Sequence, residues 1–539
     1  MKRAHESVST LFRKTVTLSA GLDSWQPSKF TPDVIATSLR REALAGQWPL
    51  GLTGAGPSAA NRPGSRVLGH FGGGQCAHAR NYSVRRPWHP GAPDRPSSQD
   101  CRTRNQVSNT PVARDRTITG RGATAVGLAS VLSAASGYVI LVIAARALGP
   151  ARNAYFLVFW SLLFGMFGTI SGLQQESTRS VRSAELSPVR ARHPVRVLPT
   201  GLLIGLAAAA VVGATSFAWS ARVLGPGSWI LVAVLCLAVP ASSGSSAIFG
   251  ALSGQRSWRA YSVLVASEAV VRLLLVTLVA VAGAKGRGLE VASASAAATW
   301  IVFVLVSPAG RRAAHAIGDS DRGQFLRRVG QAMIAAASSA VLVVGFPVLV
   351  RLTSSNLEWV TAAPLLLAIS LTRAPLLLPL TAYQGVAITH FIAERDRGIA
   401  VLLRPAAAVL GVGAIAAAGA YLLGSFIMTA FFGPDYPVDG LLLAGLTLAA
   451  VCLALLTLTG TAVLAHERHR AYATGWFLSS AVSVALLLTS LPLASRCVLS
   501  LCVGPLVGIG IHLFGVHSAS RSGTSVTQGA GGEPQRRAG

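Results

Sequence analysis

Apolar runs of about 20 residues recur along this chain from Ala123 to Phe514, with short polar loops between them. A helix of that length crosses about 30 Å of hydrocarbon, and in lipid a spanning helix satisfies its own backbone hydrogen bonds. The pattern predicts helices over 123–148, 154–170, 197–219, 229–249, 261–282, 291–306, 333–350, 362–387, 406–431, 441–464, 475–493 and 498–514. The expected fold class is an all-α polytopic membrane protein of about twelve transmembrane helices. Residues 1–120 are of another kind. They are rich in Arg, Pro, Ser and Gly, as in RPGSRVLGHFGGG, and have no helical or alternating period. Such a segment buries too little apolar surface to offset chain entropy and is expected to be a disordered basic leader. It has no apolar h-region of a secretory signal; a transit peptide, or a translation start further downstream, are its other readings.

Composition agrees with the pattern. Of 539 residues, 51% are hydrophobic and only 12% charged, against about 25% charged in ordinary soluble domains. Mean hydropathy is +0.53. The net charge of +27 lies in the leader and in short loops, not on one face of a soluble fold, so nucleic acid is not an expected partner. Six cysteines are present, none in a CxxC pair or at metal-ligand spacing, and no metal or cofactor is implied.

The loop charges set the orientation. Even-numbered loops carry about 17 arginines, among them Arg179, Arg256, Arg311, Arg397 and Arg468; odd-numbered loops carry about 7 basic residues. The positive-inside rule then places even loops and both termini in the cytoplasm. A miscount by one helix would have blurred this alternation.

The chain also repeats itself. The first span ends at Arg146 and the seventh at Arg351; the third ends at Gly225-Pro226 and the ninth at Gly433-Pro434. The offsets are 205 and 208 residues. Parallel repeats of this kind are a transporter signature. They predict two six-helix lobes, 121–310 and 329–516, joined by a basic cytoplasmic linker, 311–328, and followed by a disordered tail, 517–539.

Two of these stretches carry a family resemblance. IAARALGPARNAY, residues 143–155, resembles the first-helix exit of polysaccharide-exporter flippases, roughly a-R-x-L-G-P-x-x-F-G. Arg146, Leu148, Gly149 and Pro150 match; Asn153 and Ala154 depart where the family has Phe and Gly. FFGPDY, residues 431–436, matches the F-G-P-x-Y after the ninth helix. The superfamily also holds multidrug and toxin extrusion transporters and lipid II flippases. The resemblance covers about residues 120–516. It implies two lobes around a central cavity, and alternating-access transfer of a polyprenyl-pyrophosphate-linked glycan between leaflets of the plasma membrane. Partners would be membrane lipids and glycan polymerase or assembly proteins.

Charged residues inside the spans are costly in lipid and therefore mark candidate sites. Arg373, in LTRAPLLLPL, has no acidic residue three or four positions away; its partner must be another helix or a ligand. Arg suits a phosphate because its planar fork binds bidentately. Arg373, Arg272, Arg146 and Arg351 are the candidate substrate-binding residues. Glu268 lies four residues before Arg272, where it either pairs with it or serves as an ion-coupling site. Arg146 and Arg351 either bind substrate or snorkel to the interface. Pro375 and Pro379 are candidate hinges, since each removes a backbone donor. Gln174, Gln175 and Glu176 read as the cytoplasmic interface; Pro240, followed by ASSGSS, makes a similar weak point in the fourth span, and its small residues also suit close helix packing. HERHR is not HExxH, and no Walker, GxSxG or dinucleotide motif is present, so an enzyme is not expected. The rival readings are an ion-coupled drug or cation antiporter of the same superfamily and a non-transporting scaffold in a glycan-assembly complex.

Overall fold

A computed structural model describes residues 120–187, 192–225, 227–283, 287–394 and 397–529; the expected leader lies outside them, apart from its last residue. Among the described residues the chain is helical, with a single isolated bridge between Arg196 and Ile317. The first half runs α1 (Gly120–Leu148), α2 (Pro150–Leu186), α3 (Val197–Leu224), α4 (Trp229–Gly254) and α5 (Trp258–Val281). It closes with α6 (Gly288–Ser295) and α7 (Thr299–Val306), joined by a 3₁₀ turn into one crossing. A short α8 (Pro308–Ala314) leads to the second half: α9 (Arg322–Val343), α10 (Phe346–Thr353), α11 (Asn356–Val360), α12 (Ala362–Ala393), α13 (Ala400–Phe432), α14 (Gly440–Ala465), α15 (His469–Leu487) and α16 (Leu493–Gly529).

Each of the twelve expected spans coincides with a helix or a joined pair. Nine are long and apolar enough to cross a membrane, ten if the bent α9–α10 pair is one crossing. The other two are α12, whose apolar stretch is Ala362–Leu377, and α15, which opens on His469 and Arg470 and carries Thr474, Ser479, Ser480 and Ser483. Large apolar side chains such as Phe217, Leu237, Val281 and Phe426 point outward, as a lipid-facing surface requires.

The structure corrects several boundaries. Residues 517–529 continue α16 as helix instead of starting a disordered tail. α2 runs 16 residues past the expected end at Ile170. The eleventh helix lies six residues earlier than 475–493. Most consequential, the seventh span is not one rod: it turns through 64° between Val343 and Phe346. Gly345 sits in the break, and Pro347 in the first turn of α10 has no amide to continue the ladder.

Positions matched by the repeat share backbone geometry. Gly225 and Gly433 end α3 and α13 with positive φ, 81° and 117°, which favours glycine. Arg256 and Glu467, in the α4–α5 and α14–α15 turns, are the two described non-glycine residues with positive φ. The packing repeats as well: α3 lies on α4 as α13 on α14, and α2 on α4 as α12 on α14. One relation does not repeat. α1 packs on α5 of its own lobe, whereas its counterpart α9 packs chiefly on α2 of the other. A side chain at Gly172 would meet the Ala332–Met333 backbone at 2.4–2.7 Å, so this crossing needs glycine.

Candidate functional site

Within lobe one, α1, α2, α4 and α5 enclose a partly open polar cavity of about 250 Å³. On its wall the Arg272 Nη2 donates to Glu268 Oε1 at 2.5 Å, the i, i+4 pair that was one of the two readings of the sequence. Arg272 also donates through Nε to the Ser293 carbonyl at 3.2 Å and lies over the Phe164 ring at 5.1 Å. The second Glu268 oxygen accepts from Ser245 Oγ at 3.4 Å. Arg272 is only 6% exposed; a buried cation of this kind needs the carboxylate beside it.

Arg373, 8% exposed, works differently. Its Nη1 donates to the carbonyls of Leu342 and Val343, both at 3.1 Å. These belong to the last turn of α9, where no downstream amide remains to satisfy them. Ser161 of α2 donates to the next carbonyl, Val344. The break in the seventh span is thus capped by side chains from both lobes. The guanidinium lies 5.4 Å over Phe346, and its Nη2 is buried without a hydrogen-bond partner. Among the described residues no acidic side chain pairs with it. α12 is helix through Pro375 and Pro379, and a bend of 64° lies between α9 and α10, at Gly345.

Among the described residues Arg146 and Arg351 pair with no acid and not with each other; each caps a helix of the opposite lobe. Arg146 donates to Phe431 O at 2.9 Å and Ala430 O at 2.6 Å, at the end of α13. Arg351 donates to Arg222 O at 2.7 Å, at the end of α3. By the 208-residue offset, Arg222 and Ala430 are the same position. Two bonds lock the pair further: Arg222 Nη2 to Leu352 O, 2.9 Å, and Tyr436 OH to Ala145 O, 3.1 Å. Arg351 is also held over Trp359 at 4.8 Å and Tyr155 at 5.7 Å. Cations at helix C-termini are favoured by the exposed carbonyls and the dipole. The result is a clasp between lobes on the side the arginine count assigns to the exterior. Neither arginine simply snorkels.

At the opposite end the linker is strapped to lobe one. Across the Arg196–Ile317 bridge, Gly318 N donates to Val195 O at 2.9 Å, Val195 N to Ser320 O at 3.0 Å and Val197 N to Ala316 O at 3.2 Å. Asp319 accepts from Arg179 at 2.9 Å and from Ser180 at 2.8 Å, and Arg179 also pairs with Glu176. Burial pushes the Asp319 carboxyl up, but donation from Arg179 and Ser180 outweighs it and holds the carboxyl below the ordinary value.

Reasoning from the sequence missed the cavity. Gln174, read as an interface marker, is on its wall, 3.4 Å from the Tyr261 hydroxyl. The serines after Pro240, read as packing residues, divide by face: Ser243 is packed, while Ser242, Ser245 and Ser246 line the cavity. Their i, i+3, i+4 spacing on one helical face was the available signal.

Comparisons with known proteins place this geometry. No family model matches the chain. The uncharacterized protein Rv1510 of Mycobacterium tuberculosis (strain ATCC 25618 / H37Rv) is 39% identical over 394 residues, covering 73% of this chain and 91% of its own length. The uncharacterized protein Rv3630 of the same strain is 40% identical over 392 residues, covering 72% and 90%. Among solved structures, an inward-facing multidrug resistance MATE family transporter of the MOP superfamily aligns with a TM-score of 0.54 at 12% identity, over 76% of this chain and 99% of that one. A MOP superfamily transporter from Pyrococcus furiosus Vc1 (DSM3638), described by the reverse polarity of its binding pocket, aligns with a TM-score of 0.50 at 13% identity, over 74% and 95%. At such identities the likeness establishes the fold: this chain is built as a MOP-superfamily transporter is.

Proposed function

Because the chain belongs to the same family as the mycobacterial proteins Rv1510 and Rv3630 and has the MOP-superfamily fold, we propose that it is a flippase of the polysaccharide-exporter type. Its cargo is a lipid-linked oligosaccharide or polysaccharide precursor, carried across the plasma membrane by alternating access. The observation that carries this reading is Arg373. It is a buried cation with no acidic partner among the described residues and one guanidinium nitrogen left without a hydrogen bond. Such a nitrogen is an unused donor, shut off from solvent here, that an anion takes up once the lobes part, and the pyrophosphate linking glycan to polyprenol is the anion this cargo presents. The outer clasp supports the alternating cycle: with Arg146 and Arg351 seated on the opposite lobe the exterior side is held closed, and release of cargo outward requires both to let go.

The rival within the superfamily, an ion-coupled drug antiporter, needs an acid free to bind a cation. Glu268 is matched by Arg272, which weakens that reading. The transport assignment is tested in a strain lacking the gene by scoring surface glycan, accumulated lipid-linked precursor and membrane levels of each variant. Arg373→Ala is expected to block export and to accumulate precursor; Arg373→Lys, which keeps the charge, is expected to retain part of it. Full activity of Arg373→Ala at normal membrane levels would favour a non-transporting scaffold in glycan assembly. Loss confined to Glu268→Gln would favour the antiporter.

A further inference from the structure

We propose that the lobe-one cavity seats one sugar ring of the cargo's headgroup, a neutral polyhydroxylated ligand bound apart from the anion site at Arg373. The proposal rests on the flippase reading for the source of the sugar, but the site itself follows from the chemistry of its wall.

Charge comes first. Glu268 and Arg272 neutralise each other at 2.5 Å. A cation entering the cavity would have to displace Arg272, and an anion would have to displace Glu268. A hydroxyl displaces neither, since it donates to a carboxylate and accepts from a guanidinium in one contact. Hydroxyl supply comes second. On α4, Ser243 turns away from the cavity: its Oγ returns to Val239 O at 2.9 Å, and its side chain fills the space beside Gly205. Ser242, Ser245 and Ser246 face the cavity instead, with Gln174 opposite. Serines needed only for helix packing would lie on the Ser243 face.

Shape is the third argument. Phe249 and Tyr261 meet edge to face, with centroids 5.1 Å apart, and Phe164 forms the floor beneath Arg272. Rings among a few placed polar groups are the usual lining of an organic ligand site. The volume of about 250 Å³ lies under the roughly 300–1,000 Å³ of sites for drug-sized molecules. It suits a single ring better than a drug, a lipid chain or an oligosaccharide. The matching depth of lobe two offers no such wall. By the 211-residue offset that pairs Arg256 with Glu467, Glu268 and Arg272 correspond to Ser479 and Ser483. There Ser483 donates to Ser500 O at 2.8 Å, and a side chain at Gly504 would collide with Ser483.

The test uses the full chain in lipid nanodiscs carrying Ser246→Cys, with maleimide labelling at position 246 read by peptide mass spectrometry, so the native cysteines stay in place. Glucose, galactose, mannose and N-acetylglucosamine are the sugar probes; sodium chloride, inorganic phosphate and tetraphenylphosphonium are the ionic ones. At about 50 mM, well above a ~1 mM dissociation constant, at least one sugar is expected to slow labelling by about fivefold or more. Adding Phe164→Ala is expected to remove that protection, and the ionic probes to leave labelling unchanged. Protection by sodium or tetraphenylphosphonium alone would make this a cation site, and protection by nothing would make it a water-filled cavity; either overturns the proposal. Export assays separate the two readings. If no sugar protects while Arg373→Ala still blocks export, the subsite fails and the flippase stands. If a sugar protects but the strain lacking the gene accumulates no lipid-linked precursor, the site stands and the flippase reading fails.

Discussion

In lobe one the buried Arg272 is answered by a carboxylate one helical turn away; in lobe two the buried Arg373 is answered only by backbone carbonyls and an aromatic ring. The difference follows from the two crossings beside them. α1 is a single unbroken helix from Gly120 to Leu148. Its counterpart breaks after Val343, and the break leaves carbonyls without helical donors. Arg373 and Ser161 fill that need. One lobe therefore holds a neutral ion pair beside an open polar cavity, and the other a net positive charge beside a broken helix. Duplicated halves have diverged into unlike chemistry while keeping the same clasp, Arg146 on one side and Arg351 on the other.

The comparison can be broken from either lobe. Glu268→Gln makes lobe one resemble lobe two by leaving Arg272 buried and unpaired, and is expected to cost about 3–5 kcal/mol. Detergent thermal unfolding reads this, and the double variant Glu268→Gln with Arg272→Met is expected to recover most of the loss. A double variant whose loss equals the sum of the two single losses would mean that the pair is not coupled. Next in size is the clasp. Arg351→Ala removes a buried charge-assisted bond of about 1.5–3 kcal/mol, and should shift the population toward the outward-open state. Spin labels on Leu224 and Leu352 are expected to move apart in this variant; an unchanged distance would mean the clasp does not hold the exterior closed. Ser161→Ala sharpens the other half of the comparison. It leaves the Val344 carbonyl without its donor, costs about 1 kcal/mol, and should loosen the break without touching Arg373.

The smallest effect belongs to the linker strap. The Asp319 carboxyl is held below its ordinary value, so its stabilising contribution is complete above the unfolded value of about 3.9 and is lost as pH falls through the lower folded value. Protection of residues 315–320, their exchange measured against the intrinsic rate at each pH, should therefore fall below about pH 4 in the wild type. In Asp319→Asn it should be low already at neutral pH. Exchange that ignores both acid and the substitution would show that the bridge, not the carboxylate, holds the strap.

Much of this architecture was legible in the sequence, because lipid leaves few alternatives. Run length locates the helices, and Gly225 and Gly433 mark matching ends in the two halves. What lay hidden depended on which face a residue takes. PASSGSS reads as small residues for packing, and only helical phase separates Ser243 from its neighbours. The break at Gly345 sits inside a run, 333–350, that stays apolar throughout; Gly345 and Pro347 were its only marks. Arg146 and Arg351 were recognisable as anchors, but their partners are carbonyls, which no sequence pattern distinguishes.

The central claim is that a headgroup with negative charge is what this fold moves, and reconstitution tests it most directly. Purified protein in proteoliposomes would be given a fluorescent polyprenyl-pyrophosphate monosaccharide in the outer leaflet, with quencher access measuring transfer. The account predicts transfer well above protein-free vesicles, abolished by Arg373→Ala and absent for the same lipid with an uncharged ether in place of the pyrophosphate. Equal transfer of the charged and uncharged lipids, or none of either alongside uptake of a cationic drug, would contradict it.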